Sequence, residues 1–486
     1  MAYIDESVVN VALPVIETDL GVSAVVIQWL VNAYTLSLAA LVLIGGAAGD
    51  HFGRRLVFVA GTAIFAATSI WCGLSTSVAQ LIAARVAQGT GAALLIPCSL
   101  AIIGATFNED ERGKAIGTWA GFSALSAAIG PLIGGFIVDH ASWRWIFLIN
   151  PVVALPTIWI ALSHVPESRD PSPQAGLDWR GAALALAGLG SLVFGLMAWP
   201  ERGWRDPLVA ATVGVGALLL FAFVQEERRS PIPTMPLALF RSRTFSGVNL
   251  LTLLLYAALG GAFFFLPYLL IQVHGYSATL AGTVFLPFTL IMAALSRWGG
   301  GLINRFGARG PLIIGPTIAA VGFALLALPG ATASYATSFL LPMIVLGLGM
   351  VITVAPLTTT VINAVATQQA GVAAGINNAV ASLANLLAVA IIGAAALSVH
   401  DRALDRHLSD QTLPPAVTLA IESARGKFTA DAPGSAQSDD QRRAAAITTD
   451  ALADGIRLVM LVAAGLALLS ALCAAAMIRP NAEERR

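Results

Sequence analysis

The sequence predicts an all-α, polytopic membrane protein. Of its 486 residues, 57% are hydrophobic and only 11% charged, against about 25% charged in ordinary soluble domains. Mean hydropathy is +0.80. The apolar residues also fall into repeated runs of spanning length, and roughly 20 such residues cross about 30 Å of hydrocarbon as a helix. A helix is the form expected, because lipid offers no partner to backbone polar groups and a helix satisfies them internally.

Six runs come first, at residues 3–16, 29–48, 56–73, 81–104, 115–138 and 145–162. A pair follows at 182–199 and 208–224, then six more at 247–273, 280–299, 312–328, 339–361, 372–397 and 456–477. The expected count is about fourteen spans. It divides the chain into an N-terminal six-helix bundle (1–165), a two-helix insertion with its linkers (166–242) and a C-terminal six-helix bundle (243–486). The first run is short: its fourteen residues, 3–16, make roughly 21 Å of helix, so the natural start is expected upstream. With no basic leader before it, the run does not read as a signal peptide.

Positive charge near helix ends stays cytoplasmic. Arg54, Arg55, Arg112, Lys114, Arg169, Arg180, Arg228, Arg229, Arg241, Arg243, Arg305, Arg309, Arg479, Arg485 and Arg486 fall on one side, while the short opposite loops carry only Arg144, Arg202 and Arg205. Both termini are therefore expected inside, in a plasma membrane. Residues 399–450, charged and rich in small residues, are expected to form a long extracytoplasmic loop.

Several functions drop out. Lys plus Arg equals Asp plus Glu at 27 each, so no charge excess suggests a nucleic-acid partner. No GxxxxGK[ST], GxSxG or HExxH pattern occurs. Cys72, Cys98 and Cys473 lie in separate apolar runs without metal spacing, and read as packing residues. The six histidines are expected at helix ends or in loops, out of ligand spacing. Neither an enzyme nor a cofactor or metal protein is expected.

Five segments carry the positive case. GAAGDHFGRR (46–55) occupies the short turn after the second run, where Gly46 and Gly53 permit close approach and Asp50, Arg54 and Arg55 offer charge. GGLINRFGAR (300–309) repeats it after the second run of the C-terminal bundle, with Asn304 for the aspartate and Arg305 and Arg309 retained. In LIAARVAQGTGAALLIP (81–97), Arg85 sits in an otherwise apolar helix, where an unpaired charge costs about 2.5–3.5 kcal/mol. It therefore needs a partner or an interface to snorkel to. The candidate partner is Asp5 in YIDESVVNVALP (3–14), which otherwise reads as part of an interfacial Asp5–Glu6 pair. In AAIGPLIGGFIV (127–138), Pro131 removes one helical hydrogen bond, while Gly130, Gly134 and Gly135 allow a neighbouring helix to approach.

Together these segments resemble the major facilitator superfamily, in particular its fourteen-span drug:proton antiporters. QWLVNAYTL (28–36), WRWIFLINP (143–151), LFRSRTFSG (239–247) and GVAAGINNAVASLAN (371–385) extend the resemblance over nearly the whole length. It implies two bundles that rock about a midplane site, gating by the two glycine–arginine loops and proton coupling at Asp5 and Arg85. The 127–138 segment looks like the antiporter motif that marks exporters. Asn32, Tyr34, Tyr256, Phe264, Asn377 and Asn378, with Phe263 and Phe265, are the candidate substrate residues, and Arg297 is read as a helix-end charge. The expected activity is proton-coupled efflux of hydrophobic or cationic amphipathic compounds by a monomer. Carriage of an endogenous metabolite, lipid or siderophore is the alternative, and a membrane sensor a third.

Overall fold

The computed structural model describes residues 1–107, 109–169, 178–203, 205–230, 235–328, 335–365, 370–410, 414–428 and 438–478. Among these residues it is built from helices, with no strand. In chain order they are α1 (Ala2–Leu20), α2 (Ala24–Phe52), α3 (Arg54–Leu74), α4 (Val78–Thr106), α5 (Glu109–His140), α6 (Trp145–His164), α7 (Trp179–Arg202) and α8 (Pro207–Arg229). There follow α9 (Arg243–Tyr268), α10 (Ala278–Thr283), α11 (Leu286–Phe306), α12 (Arg309–Leu326), α13 (Leu341–Asn363), α14 (Ala370–Asp410), α15 (Pro415–Ala424) and α16 (Asp439–Met477).

Local chemistry sets the ends. Ser77, Asp206, Ser242 and Ser277 each accept a backbone N–H at the start of α4, α8, α9 and α10, meeting donors that have no partner inside the helix. Ser438 and Gln441 form a reciprocal capping box on α16. At the other end of α1, Gly21 takes the left-handed conformation (φ 60°) that stops a helix. The run expected at 280–299 is broken into α10 and α11, with Pro287 in the first turn of α11.

Two blocks emerge from the packing. In the first, α2 and α3 lie along α4, α3 along α6 and α1 along α5; in the second, α9 lies against α14 and α16, and α12 against α13 and α16. The pair α7–α8 stands outside both, with α7 resting on α2 of the first block and α14 of the second. Leu36, Val193, Met197, Leu386 and Ala390 fill that seam. Close packing here rests on backbone approach: a Cβ at Gly45 would stand 2.0 Å from the Ala93 carbonyl oxygen, between α2 and α4.

Twelve helices among the described residues are long and apolar enough to cross a membrane. The expected fourteen includes two more, α1 and α5, which lie outside that set. For α1 the reason is charge, since it carries Asp5, Glu6, Glu17 and Asp19; of α5, the shorter apolar stretch Ile129–His140 stands among the described residues. Residues 399–450 also differ from the loop expected. α14 stays helical to Asp410, α15 packs Val417 and Ile421 under it, and α16 begins at Asp439, because this polar stretch still carries apolar residues at helical spacing. His400, expected at a helix end, is fully buried within α14. Cys72, Cys98 and Cys473 are buried free thiols, as packing residues should be. The side chains of Arg112, Lys114, Arg297, Asn304, Arg479, Arg485 and Arg486 lie outside the described residues.

Candidate functional site

Asp5 and Arg85 meet. Both are 1% exposed, and Arg85 Nη1 donates to Asp5 Oδ2 at 2.6 Å. Further polar partners surround the pair. Gln88 Nε2 and Asn150 Nδ2 donate to Asp5 Oδ1 at 2.9 and 2.7 Å, and Arg85 donates to Gln88 Oε1 at 2.7 Å and to the Leu30 carbonyl at 3.1 Å. Ser69 Oγ accepts from Gln88 at 2.8 Å and from Asn150 at 3.3 Å. Tyr34 lies under the guanidinium, 4.3 Å from its ring centroid, an added cation–π attraction. Five helices of the first block thus converge on one carboxylate, and Arg85 is paired where it sits instead of snorkelling to an interface. Among the described residues, no group of three or more His, Cys, Asp or Glu is placed to hold a metal.

The gating candidates divide by block. Asp50, at the end of α2, pairs with Arg54, at the start of α3, at 2.7 Å across the Gly53 turn. Arg55 reaches the Val165 carbonyl at 3.0 Å, and Glu167 accepts the backbone N–H groups of Arg55 and Leu56 at 3.0 and 3.2 Å. Glu167 therefore caps α3 from the segment after α6. Arg309 donates to the Ala475 carbonyl at 2.7 Å, and Arg305 lies over the Phe306 ring at 5.5 Å. So the partners of Arg54 and Arg55 belong to the first block or to the segment directly after α6, and those of Arg305 and Arg309 to the second block. Gly46 has no close neighbour, the nearest atom to a Cβ there being Pro97 Cβ at 3.6 Å. Gly53 is different, with φ +121° and space for a Cβ only 2.8 Å from the Glu167 carboxylate. Gly53→Ala is expected to cost about 1–3 kcal/mol through backbone strain, read as a lower thermal midpoint of the detergent-solubilised protein; an unchanged midpoint would contradict this account of the turn.

On the opposite face the blocks touch directly. Gly130 and Gly134 face α1, where added Cβ atoms would stand 1.8 Å from Ser7 Oγ and 2.9 Å from a Val8 methyl. Gly135 faces α10 across the divide, its Cβ position 2.2 Å from the Ala278 carbonyl oxygen, and Gly282 returns the contact at 2.2 Å from the Pro131 carbonyl oxygen. Asp139, one turn on, accepts the backbone N–H groups of Ala278 and Thr279 at 3.0 and 2.7 Å. Between α2 and α14, Gly393 abuts the buried Gln28 amide.

The candidate substrate residues scatter. Asn32 donates to Met197 Sδ at 3.3 Å, which turns it toward α7. Tyr34 serves the Arg85 cluster. Asn377 is tied to Asn249 and Thr252 at 3.1 and 2.8 Å within the second block, while Asn378 is exposed. Phe264 and Phe265 are packed with Tyr268, Phe263 meets Phe285 and Phe288 edge to face, and Tyr256 is half-buried on α9. An open pocket of about 780 Å³ lies elsewhere, on the first block, lined by Tyr3, Phe58, Thr62, Ser99, Trp119 and Thr157 among others. Its walls come from α1, α3, α4, α5 and α6, and no candidate substrate residue lines it.

Sequence reading missed Gln88, Asn150, Ser69 and Glu167. The signal for the first two was present, as polar residues inside the motif segments 81–97 and 143–151.

The comparisons agree with this architecture. A solved bacterial homologue of the human lysosomal transporter Spinster, in an inward-facing and unoccupied conformation, superposes with a TM-score of 0.69 at 17% identity, covering 99% of this chain and 96% of that one. The tetracenomycin C resistance and export protein of Streptomyces glaucescens is 33% identical over 428 residues, 87% of this chain and 79% of that protein. The puromycin resistance protein of Streptomyces alboniger is 36% identical over 424 residues, 86% and 83% of the two chains. With the sequence pattern of the Major Facilitator Superfamily matching residues 1–389, the chain belongs to that superfamily of membrane transporters.

Proposed function

We propose that the protein exports small hydrophobic or cationic amphipathic compounds in exchange for protons, by alternating access. The observation that carries this reading is the Asp5 carboxylate, buried at the meeting point of five helices with Arg85, Gln88, Asn150 and Ser69 around it. A titratable group kept inside a membrane domain, away from any metal site, is expensive and marks an ion or proton pathway. The names of relatives such as the tetracenomycin C and cephamycin export proteins support export of secreted small molecules. The apolar wall and scattered hydroxyls of the first-block pocket suit such a guest.

In this reading the arginine-rich face is cytoplasmic, both termini lie inside, the protein acts as a monomer in the plasma membrane, and α1 and α5 complete fourteen spans. The bodies that move are 1–165 and 243–486, with the 166–242 pair alongside. The contacts of α5 with α10, and of α2 with α14, close the outer side, while the glycine–arginine loops are released from each other inside. One proton crossing gains about 2.3 kcal/mol per 100 mV, enough for a concentration ratio on the order of fiftyfold.

The test is uptake into everted membrane vesicles. Imposing an acidic lumen is expected to drive accumulation of lipophilic cations such as ethidium, and collapsing the gradient to discharge them. Accumulation that ignores the gradient would sink proton coupling, and absence of accumulation for cations and neutral aromatics alike would sink export of this class.

A further inference from the structure

The segment that follows α15 does something its sequence does not announce. It turns at Gly426 (φ +72°) and is tied to α14 twice, by the Gly426 N–H on Asp401 Oδ1 at 3.2 Å and by the Arg425–Asp405 ion pair. By these bonds it belongs to the second block. Its last described residue, Phe428, is nonetheless buried, with the ring edge-on to Phe265 at 5.0 Å and to Tyr268 at 5.7 Å. The Phe428 backbone N–H donates to Glu17 Oε1 at 3.0 Å, and Glu17 sits on α1, in the first block, 1% exposed.

Ordinary core packing explains the aromatic ring but not the carboxylate. A buried carboxylate is costly unless its hydrogen bonds are met, and a main-chain N–H from a segment fixed to the opposite block is a partner that rocking must remove. The contact also lies at the face where α5 meets α10 and α2 meets α14. We infer that Phe428 is an outer gate residue: carried by the second block, seated over the closed mouth and latched there by Glu17, it withdraws each time the outer side opens. Phe265 and Tyr268, on α9 of the same block, hold the ring in place, which for Phe265 is a different role from the substrate contact expected of it.

The inference rests on the alternating-access reading but makes no use of cargo or protons, so the two fail separately. The experiment is labelling of Gln28→Cys, in the α2–α14 seam, by a membrane-impermeant maleimide added to intact cells or to everted vesicles. Phe428→Ala is expected to speed labelling from outside by about tenfold or more, one decade of population shift. Phe428→Leu, which keeps most of the bulk, is expected to stay near the parent, and Glu17→Gln to fall between. Equal labelling of the parent and Phe428→Ala, or equal acceleration by the Ala and Leu substitutions, would overturn the gate. Labelling confined to everted vesicles would overturn it as well, by placing the segment on the inner side. A second measurement avoids the chance that Phe428→Ala misfolds: Glu17→Cys with Phe428→Cys, joined by a bifunctional maleimide, should lock the outer side. The joined protein is expected to lose Gln28→Cys labelling, and labelling at the unjoined rate would contradict the latch.

Discussion

Asp5→Asn is expected to abolish proton-driven export while leaving the fold largely assembled. Asp5 receives hydrogen bonds from Arg85, Gln88 and Asn150. Asparagine keeps one acceptor oxygen, places an N–H₂ group against at least one of these donors, and can neither take the proton that the proposed exchange assigns to Asp5 nor neutralise Arg85. Removing one partner of a buried ion pair typically costs about 3–5 kcal/mol, so reduced yield is part of the prediction. The second variant separates stability from coupling. Asp5→Asn combined with Arg85→Gln removes both charges, and is expected to recover much of the lost thermal midpoint but none of the gradient-driven accumulation. Recovery of accumulation would move the coupling group to another residue. Downhill movement of a cation without a proton gradient is expected to survive in both variants, because neither touches the contacts between the blocks.

Gly282→Leu is expected to have the second-largest effect, and of a different kind. The Gly282 Cβ position lies 2.2 Å from the Pro131 carbonyl oxygen, which is backbone and cannot swing aside. A side chain there pushes α10 from α5 and opens the outer side. Overpacking of this sort typically costs about 1–3 kcal/mol, and each 1.4 kcal/mol moves a two-state balance roughly tenfold. Turnover should therefore fall at least about tenfold, with faster maleimide labelling of Ala278→Cys from outside. Gly45→Leu is the contrast. Its clash with the Ala93 carbonyl at 2.0 Å lies inside the first block, so it should lower stability without raising outer labelling. If the two substitutions gave the same labelling, the assignment of the α5–α10 contact to outer closure would be wrong.

Legibility in the sequence depended on contrast. Charge or glycine in an apolar helix stands out, so the Asp5–Arg85 pair and the close approaches at Gly130, Gly134 and Gly135 are readable from the residues alone. Azimuth is not. A helix that is apolar all round gives no sign of which face meets its own block, the other block or lipid, which is why Asn32 is expected in a central cavity and is found against Met197 on α7. Phe264, expected to face the same cavity, is found packed against Tyr268. The helices within 399–450 are hidden because charge and small residues there resemble a solvated loop, and the seat of Phe428 depends on a tertiary meeting with Glu17 across more than four hundred residues. Glu167, likewise, caps α3 from a segment with no regular structure, where spacing offers no clue.

The most direct test of the central claim is proton movement itself. The purified protein would be reconstituted into liposomes holding a pH-sensitive dye, with potassium and valinomycin clamping the membrane potential at zero and a pH gradient imposed. Adding a lipophilic cation is expected to release protons down the gradient in step with its own uptake, and Asp5→Asn should abolish that release. Cation uptake by the parent protein with no accompanying proton movement would contradict the account and leave a facilitator in place of an antiporter.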